Sequence, residues 1–305
     1  MTTGSEAGAA SVGAWEAAGT WRHLAVGNPP HRHRFFTVDR PATLTETLEP
    51  LVVIHGFPTS SFDFHLVLDQ LSEHRRVLLI DLLGYGLSDK PDLAYTIDVQ
   101  ADAVAAWTSE LGLGQLALLT HDIGDTVGGE LLARQMEGRW PVTVTRRVVT
   151  NGSIYIEMAQ LSAGQELLLS LPDERLGPDA PIDRASMTSS LSQTFSPAHH
   201  VAAPELDAMW ALVAREDGHR NLPRLIRYIE ERRRNERRFT GAIEDHPSPL
   251  AVVWGQDDPI AVAAMADRLV ERRPDAVLTV LEEVGHFPMI EAPARFAAAL
   301  SVHLG

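Results

Sequence analysis

The chain has 305 residues, 45% hydrophobic and 22% charged, with 41 acidic against 26 basic side chains, a formal net charge of −15 and no cysteine. At about 150 residues per domain this suits one large domain, or a core plus an insertion, and the composition is that of a folded globular chain. The absence of cysteine excludes disulfides, thiolate metal sites, iron–sulfur clusters and a thiol nucleophile, and the acidic balance argues against nucleic acid as a partner.

Residues 1–14 are small and polar and read as a flexible N-terminal tail. They carry neither the basic segment nor the apolar run of a secretory leader, and no apolar stretch reaches the ~18 residues that a membrane-spanning helix needs. A cytoplasmic location without membrane partners is therefore expected. The first strand is predicted at LVVIH (51–55), bounded by Pro50 and Gly56, and the second at RRVLLID (75–81). A helix follows over about 96–111, then a buried strand LALLTH (116–121), a helix over 124–136 and a strand RRVVTN (146–151). From 152 to 246 the strand pattern stops, giving way to Pro, Ser and Met and then Arg-rich helical sequence. The rhythm resumes with a strand at 250–254, a helix over 260–273, a strand at 276–281 and a last helix over 292–304. Apolar strands alternating with helices imply a parallel sheet covered on both faces. The economical organisation is an α/β core of residues 15–151 and 247–305, interrupted by a helical cap over 152–246.

In open α/β sheets ligands sit beyond the carboxyl ends of the strands, so the residues just past each strand matter most. After LALLT comes His121-Asp122-Ile123-Gly124 and then a helix, the sharp strand-to-helix turn that presents a nucleophile. The usual occupant is Ser; here it is Asp122, and no G-x-S-x-G occurs in the chain. A hydroxyl needs deprotonating and suits attack on a carbonyl. A carboxylate is ionised at neutral pH and can displace a leaving group from saturated carbon, leaving an alkyl ester on the protein. The alternative is an ordinary helix N-cap. His55-Gly56-Phe57-Pro58 follows the first predicted strand, where the Phe57 and Ile123 backbone N–H groups would form an oxyanion hole. Trp254-Gly255-Gln256-Asp257-Asp258 follows the strand after the insertion. Asp258 is the preferred partner for a histidine, with Asp257 in reserve and Glu157 more remote; either Asp could instead cap the next helix. Gly285-His286-Phe287-Pro288 follows the last strand. The chain order Asp122, Asp258, His286 is nucleophile, acid, histidine.

HGFPTSSFDF (55–64), DLLGYGLSDKP (81–91), HDIGDTVGGELLAR (121–134), WGQDDPI (254–260) and GHFPMIEAP (285–293) together resemble α/β-hydrolase-fold enzymes with an aspartate nucleophile, the epoxide hydrolase and haloalkane dehalogenase group. NGSIY (151–155) and LIRYIEERRRNERRFTGAI (225–243) look closest to its mesoderm-specific-transcript-like branch. The resemblance implies an epoxide hydrolase that opens a small apolar epoxide to a diol through a covalent ester on Asp122, without metal or organic cofactor. It also implies cap tyrosines as proton donors, for which Tyr228 is the better candidate and Tyr155 the second. Haloalkane dehalogenation by the same nucleophile is the alternative; Phe57 and Ile123 lack the side-chain N–H donors that hold halide, though a cap residue such as Trp210 could substitute. A non-catalytic ligand-binding protein and a cofactor-free oxygenase are further alternatives. The expected partner is a small-molecule substrate, and the oligomeric state is left open.

Other features have plainer readings. Asp125 suits the N-terminal dipole of the elbow helix, and His121 reads as a packed structural histidine. His31 and His33 could suggest metal ligands but lack a third. The Arg run over 224–238, interleaved with Glu, reads as an exposed salt-bridged face. Trp107 and Met136 read as core.

Overall fold

The computed structural model describes residues 4–180 and 182–305. Strands β1 (Thr20–Val26), β2 (His31–Arg40), β3 (Leu51–Ile54), β4 (Val77–Ile80), β5 (Gln115–His121), β6 (Thr143–Thr150), β7 (Leu250–Gly255) and β8 (Val277–Leu281) form one sheet. Their order is β1-β2-β4-β3-β5-β6-β7-β8. β1, β2 and β4 pair antiparallel, and every pairing from β4 through β3 to β8 is parallel. The α/β-hydrolase fold expected from the sequence is present. Every residue of β3, β4 and β7 is buried, the pattern of strands covered on both faces.

Helices α1 (Gly4–Ala18), α2 (Leu68–Leu71), α3 (Ile97–Glu110), α4 (Ile123–Met136), α5 (Ala163–Ser170), α6 (Arg184–Ser192), α7 (Ala203–Ala214), α8 (Leu222–Leu225), α9 (Tyr228–Arg234), α10 (Glu236–Asp245), α11 (Ala264–Arg272), α12 (Pro288–Glu291) and α13 (Pro293–Leu304) complete the chain. Thr96 starts α3 by accepting the Val99 N–H on its side chain. α4 crosses β3 so closely that a side chain at Gly124 would collide with the Ile54 carbonyl. Between β6 and β7 all regular structure is helical; α10 lies along α4, where a side chain at Gly129 would meet the Phe239 backbone. Among the described residues no helix is long and apolar enough to cross a membrane.

Two expectations are corrected here, and one element is added. The tail read over 1–14 is helical from Gly4 onward, residues 1–3 lying outside the described residues. α1 packs on α7, where a side chain at Gly8 would touch Asp207 and Pro204, and Trp15 stacks edge-on to Phe62 at 5.9 Å. Its alanines favour helix, and tertiary contact rather than a strong apolar stripe holds it. Met136, read as core, is 47% exposed at the last turn of α4. The hairpin of β1 and β2 is absent from the sequence reading. It puts His31 opposite Val26 and His33 opposite Leu24, and no cluster of three metal-ligating side chains occurs among the described residues.

Candidate active site

The carboxyl ends of β3, β5, β6 and β7 and the loop after β8 converge on one edge of the sheet. Asp122 closes β5 and opens α4 with φ 52° and ψ −112°, a left-handed conformation that strains a residue bearing a Cβ. Its side chain caps nothing in α4, so the N-cap reading does not hold. Instead Oδ2 accepts the Phe57 N–H at 2.8 Å. Oδ1 faces the Tyr228 hydroxyl at 3.4 Å. Ile123 follows as the first residue of α4, buried.

The loop carrying Phe57 is fixed from behind. His55 Nδ1 donates to the Gly56 carbonyl at 2.8 Å, and its Nε2 accepts the Leu82 N–H at 3.0 Å. Burial holds His55 below its ordinary value, in keeping with that neutral tautomer. A side chain at Gly56 would strike His121 Nδ1 at 2.6 Å, which explains the glycine.

His286 is buried, with Nδ1 2.7 Å from Asp258 Oδ2. Asp258 is saturated: Oδ1 accepts the Ile260 and Ala261 N–H groups at 2.8 and 2.9 Å, and Oδ2 also accepts from Asn151 Nδ2 at 2.8 Å. Burial opposes the imidazolium, but Asp258 and then Asp122 and Glu291 override it and raise His286 to about 9. Asp257 is turned away, accepting from Ser196 Oγ at 2.7 Å, and Glu157 pairs with Arg268. The pairing with His286 thus belongs to Asp258. His121 fits its structural reading, since its Nε2 meets the His286 carbonyl at 2.8 Å and burial keeps it well below the usual histidine range.

Tyr228 is buried at the start of α9, where burial and then Asp122 hold its phenol well above the ordinary value, so it stays protonated. Tyr155 is a correction. Its hydroxyl donates to Glu244 at 2.8 Å and Arg268 covers its ring at 4.2 Å, in a separate polar cleft beside α10 and α11. Position after a strand end does not fix where a side chain points. Trp210 packs on His219 at 5.6 Å and does not line the cavity over the site.

Three positioning groups escape the sequence reading. Asn151, at φ 46°, accepts the Gly255 N–H at 2.9 Å and so ties the ends of β6 and β7 to Asp258. Glu291 accepts the Gly285 and Phe287 N–H groups at 2.9 and 3.1 Å and clamps the His286 loop. Arg232, read as part of an exposed face, is 1% exposed. Its guanidinium donates to Thr126 Oγ1 and to the Asp122 carbonyl, and lies 5.2 Å from the Tyr228 ring centre. The signal was the i, i+4 spacing of Tyr228 and Arg232, which puts both on the buried face of α9.

A cavity of about 130 Å³ lies between cap and sheet edge, walled by Leu168, Met187, Leu191 and Leu222 and floored by Phe57 and His286. His286 is the one titratable lining residue among those described. Asp122 sits just behind this floor, 3% exposed.

The alpha/beta hydrolase family profile matches residues 51–299. The chain is 40% identical to the putative hydrolase LipZ of Mycobacterium tuberculosis over 296 residues, 96% of this chain and 98% of that one. It is 33% identical to the mesoderm-specific transcript homolog protein of Bos taurus over 263 residues, 82% of this chain and 77% of that one. Among solved structures, a probable hydrolytic enzyme of Pseudomonas aeruginosa superposes with a TM-score of 0.74 at 17% identity, covering 94% of each chain.

Proposed function

The chain belongs to the alpha/beta hydrolase family, and on that premise we propose that it hydrolyses a small, uncharged, mostly apolar epoxide through a covalent ester on Asp122. The observation that carries this reading is the division of labour at the carboxylate, one oxygen on the Phe57 N–H and the other at the Tyr228 hydroxyl. The cradled Oδ2 is set to become the ester carbonyl oxygen, which leaves Oδ1 to attack. A bond forms from Oδ1 to an epoxide carbon and the ring C–O bond breaks. Its electron pair passes to the ring oxygen, which takes the Tyr228 proton. His286 then removes a proton from water, and the resulting hydroxide adds to Cγ of Asp122. The charge that develops on Oδ2 falls on the Phe57 N–H. Collapse expels the diol's second oxygen, which takes the proton from His286, while the regenerated acid returns its proton to Tyr228. The cavity, without Asp, Glu, Lys or Arg in its wall, supports a neutral substrate.

A single turnover in heavy-oxygen water tests the ester. The label is expected in the Asp122 carboxylate, with an unlabelled first diol; label in that diol would mean that water attacks the epoxide directly. Screening epoxides, bromoalkanes and activated esters against the natural chain and Asp122→Ala tests the substrate class, bromide release pointing to dehalogenation instead. Tyr228→Phe is expected to lower kcat by about 10²–10⁴ as a lost general acid, whereas Tyr155→Phe should stay within about twofold, because its hydroxyl serves Glu244. Equal losses in the two variants would remove Tyr228 from the mechanism.

A further inference from the structure

We propose that the hydroxyl of Tyr85, a core residue, is a second donor to the substrate's reacting oxygen, working beside Tyr228; this rests on the ester reading above. Tyr85 is 2% exposed and its hydroxyl has no hydrogen-bond partner. Buried hydroxyls are almost always bonded, so an orphan this deep needs an explanation.

The surroundings narrow it. The Phe57 ring packs against both phenols, its centre 6.5 Å from Tyr85 and 5.8 Å from Tyr228. His55, edge-on to Tyr85 at 5.1 Å, has both ring nitrogens engaged elsewhere. Tyr95 donates to the Pro91 carbonyl and accepts from Asn221. After burial, Tyr228 and Asp122 and then Tyr95 drive the Tyr85 phenol upward. The hydroxyl is therefore a protonated donor within the field of the reacting carboxylate, with no protein acceptor.

Its placement is rigid. Tyr85 sits between Gly84 at φ 91° and Gly86 at φ 48°. The Asp81 carboxylate pins that loop by accepting the Leu87 N–H at 2.7 Å and the Ser61 N–H at 2.9 Å. A bound oxygen atom would give the hydroxyl the acceptor that the protein withholds.

The test compares the natural chain, Tyr85→Phe and His286→Gln. Styrene oxide is the probe of chemistry, and phenylacetamide, whose carbonyl oxygen accepts hydrogen bonds without reacting, is the probe of binding. Tyr85→Phe is expected to melt no lower than the natural chain, since it deletes an unpartnered polar atom. It should also lose roughly tenfold in kcat on styrene oxide and a similar factor in phenylacetamide affinity, the worth of one hydrogen bond. A lowered melting point, unchanged kcat, unchanged phenylacetamide affinity or no phenylacetamide binding to the natural chain overturns the assignment. Failure of the ester reading shows separately, as no styrene oxide adduct on Asp122 in His286→Gln; phenylacetamide binding still decides Tyr85 in that case.

Discussion

Exchanging His286 for Gln is expected to leave a protein that reacts with one equivalent of epoxide, carries its mass on Asp122 and then stops. The alkylation step draws on the Asp122 carboxylate, the Phe57 N–H and the Tyr228 hydroxyl, none of which is held by the His286 side chain. What His286 supplies is a base for the water. The backbone bonds that seat its loop, from the His286 N–H to Thr194 and from His121 to the His286 carbonyl, survive the exchange. Steady-state diol formation should fall by about 10²–10⁴, while intact mass rises by one substrate and peptide mapping finds the adduct on Asp122. Unmodified protein, an adduct elsewhere or undiminished turnover would each sink the proposal.

The same geometry times the proton transfer. In the free protein three carboxylates, Asp258 foremost, raise His286 to about 9 against the opposition of burial. An imidazolium cannot accept a proton from water. Forming the ester neutralises Asp122, one of the groups that hold the proton, so the histidine's affinity for it drops when a base is needed. kcat should therefore climb with pH on a limb between the ordinary 6.5 and about 9, because deprotonation of a raised histidine activates the second step.

Much of this arrangement is legible in the amino-acid sequence. β3 through β8 are apolar runs between turn residues, and Asp122, Asp258 and His286 each follow one of them, so chain order and strand ends were enough to gather the site. β1 and β2 were not legible, because an outer antiparallel hairpin alternates exposed His23 and Ala25 with buried Leu24 and Val26 and carries four consecutive His and Arg residues. Side-chain direction in the cap was equally hidden. Tyr155 and Tyr228 are both aromatic residues of the insertion, yet one turns to Glu244 and the other to Asp122. Arg232 stands among arginines that look alike on paper, and the pitch of α9 alone sends it beneath the elbow. Asp257 and Asp258 differ by one step around a turn, which sequence composition cannot resolve.

That one step predicts a large contrast. Asp258→Asn is expected to cost on the order of 10³–10⁴ in the hydrolytic step, with the fold retained, and Asp257→Asn less than about threefold. Asp258 accepts from four donors: two backbone N–H groups, Asn151 and His286. An amide offers one oxygen and one NH₂ group. If the oxygen stays on the Ile260 and Ala261 N–H groups, the NH₂ is driven against Asn151 Nδ2 and His286 Nδ1–H, so His286 must give up the tautomer that leaves Nε2 free as a base. The amide also removes the charge that holds the imidazolium, so the limb of kcat against pH should move down, toward or below 6.5. Asp257 holds only the Ser196 hydroxyl, which an amide oxygen accepts as well. Pre-steady-state mixing with styrene oxide separates the steps, since Asp258→Asn should keep the burst of ester formation and lose its decay. Comparable losses in the two variants, or a pH limb that stays where it was in Asp258→Asn, would show that this carboxylate merely packs against His286 rather than setting its proton.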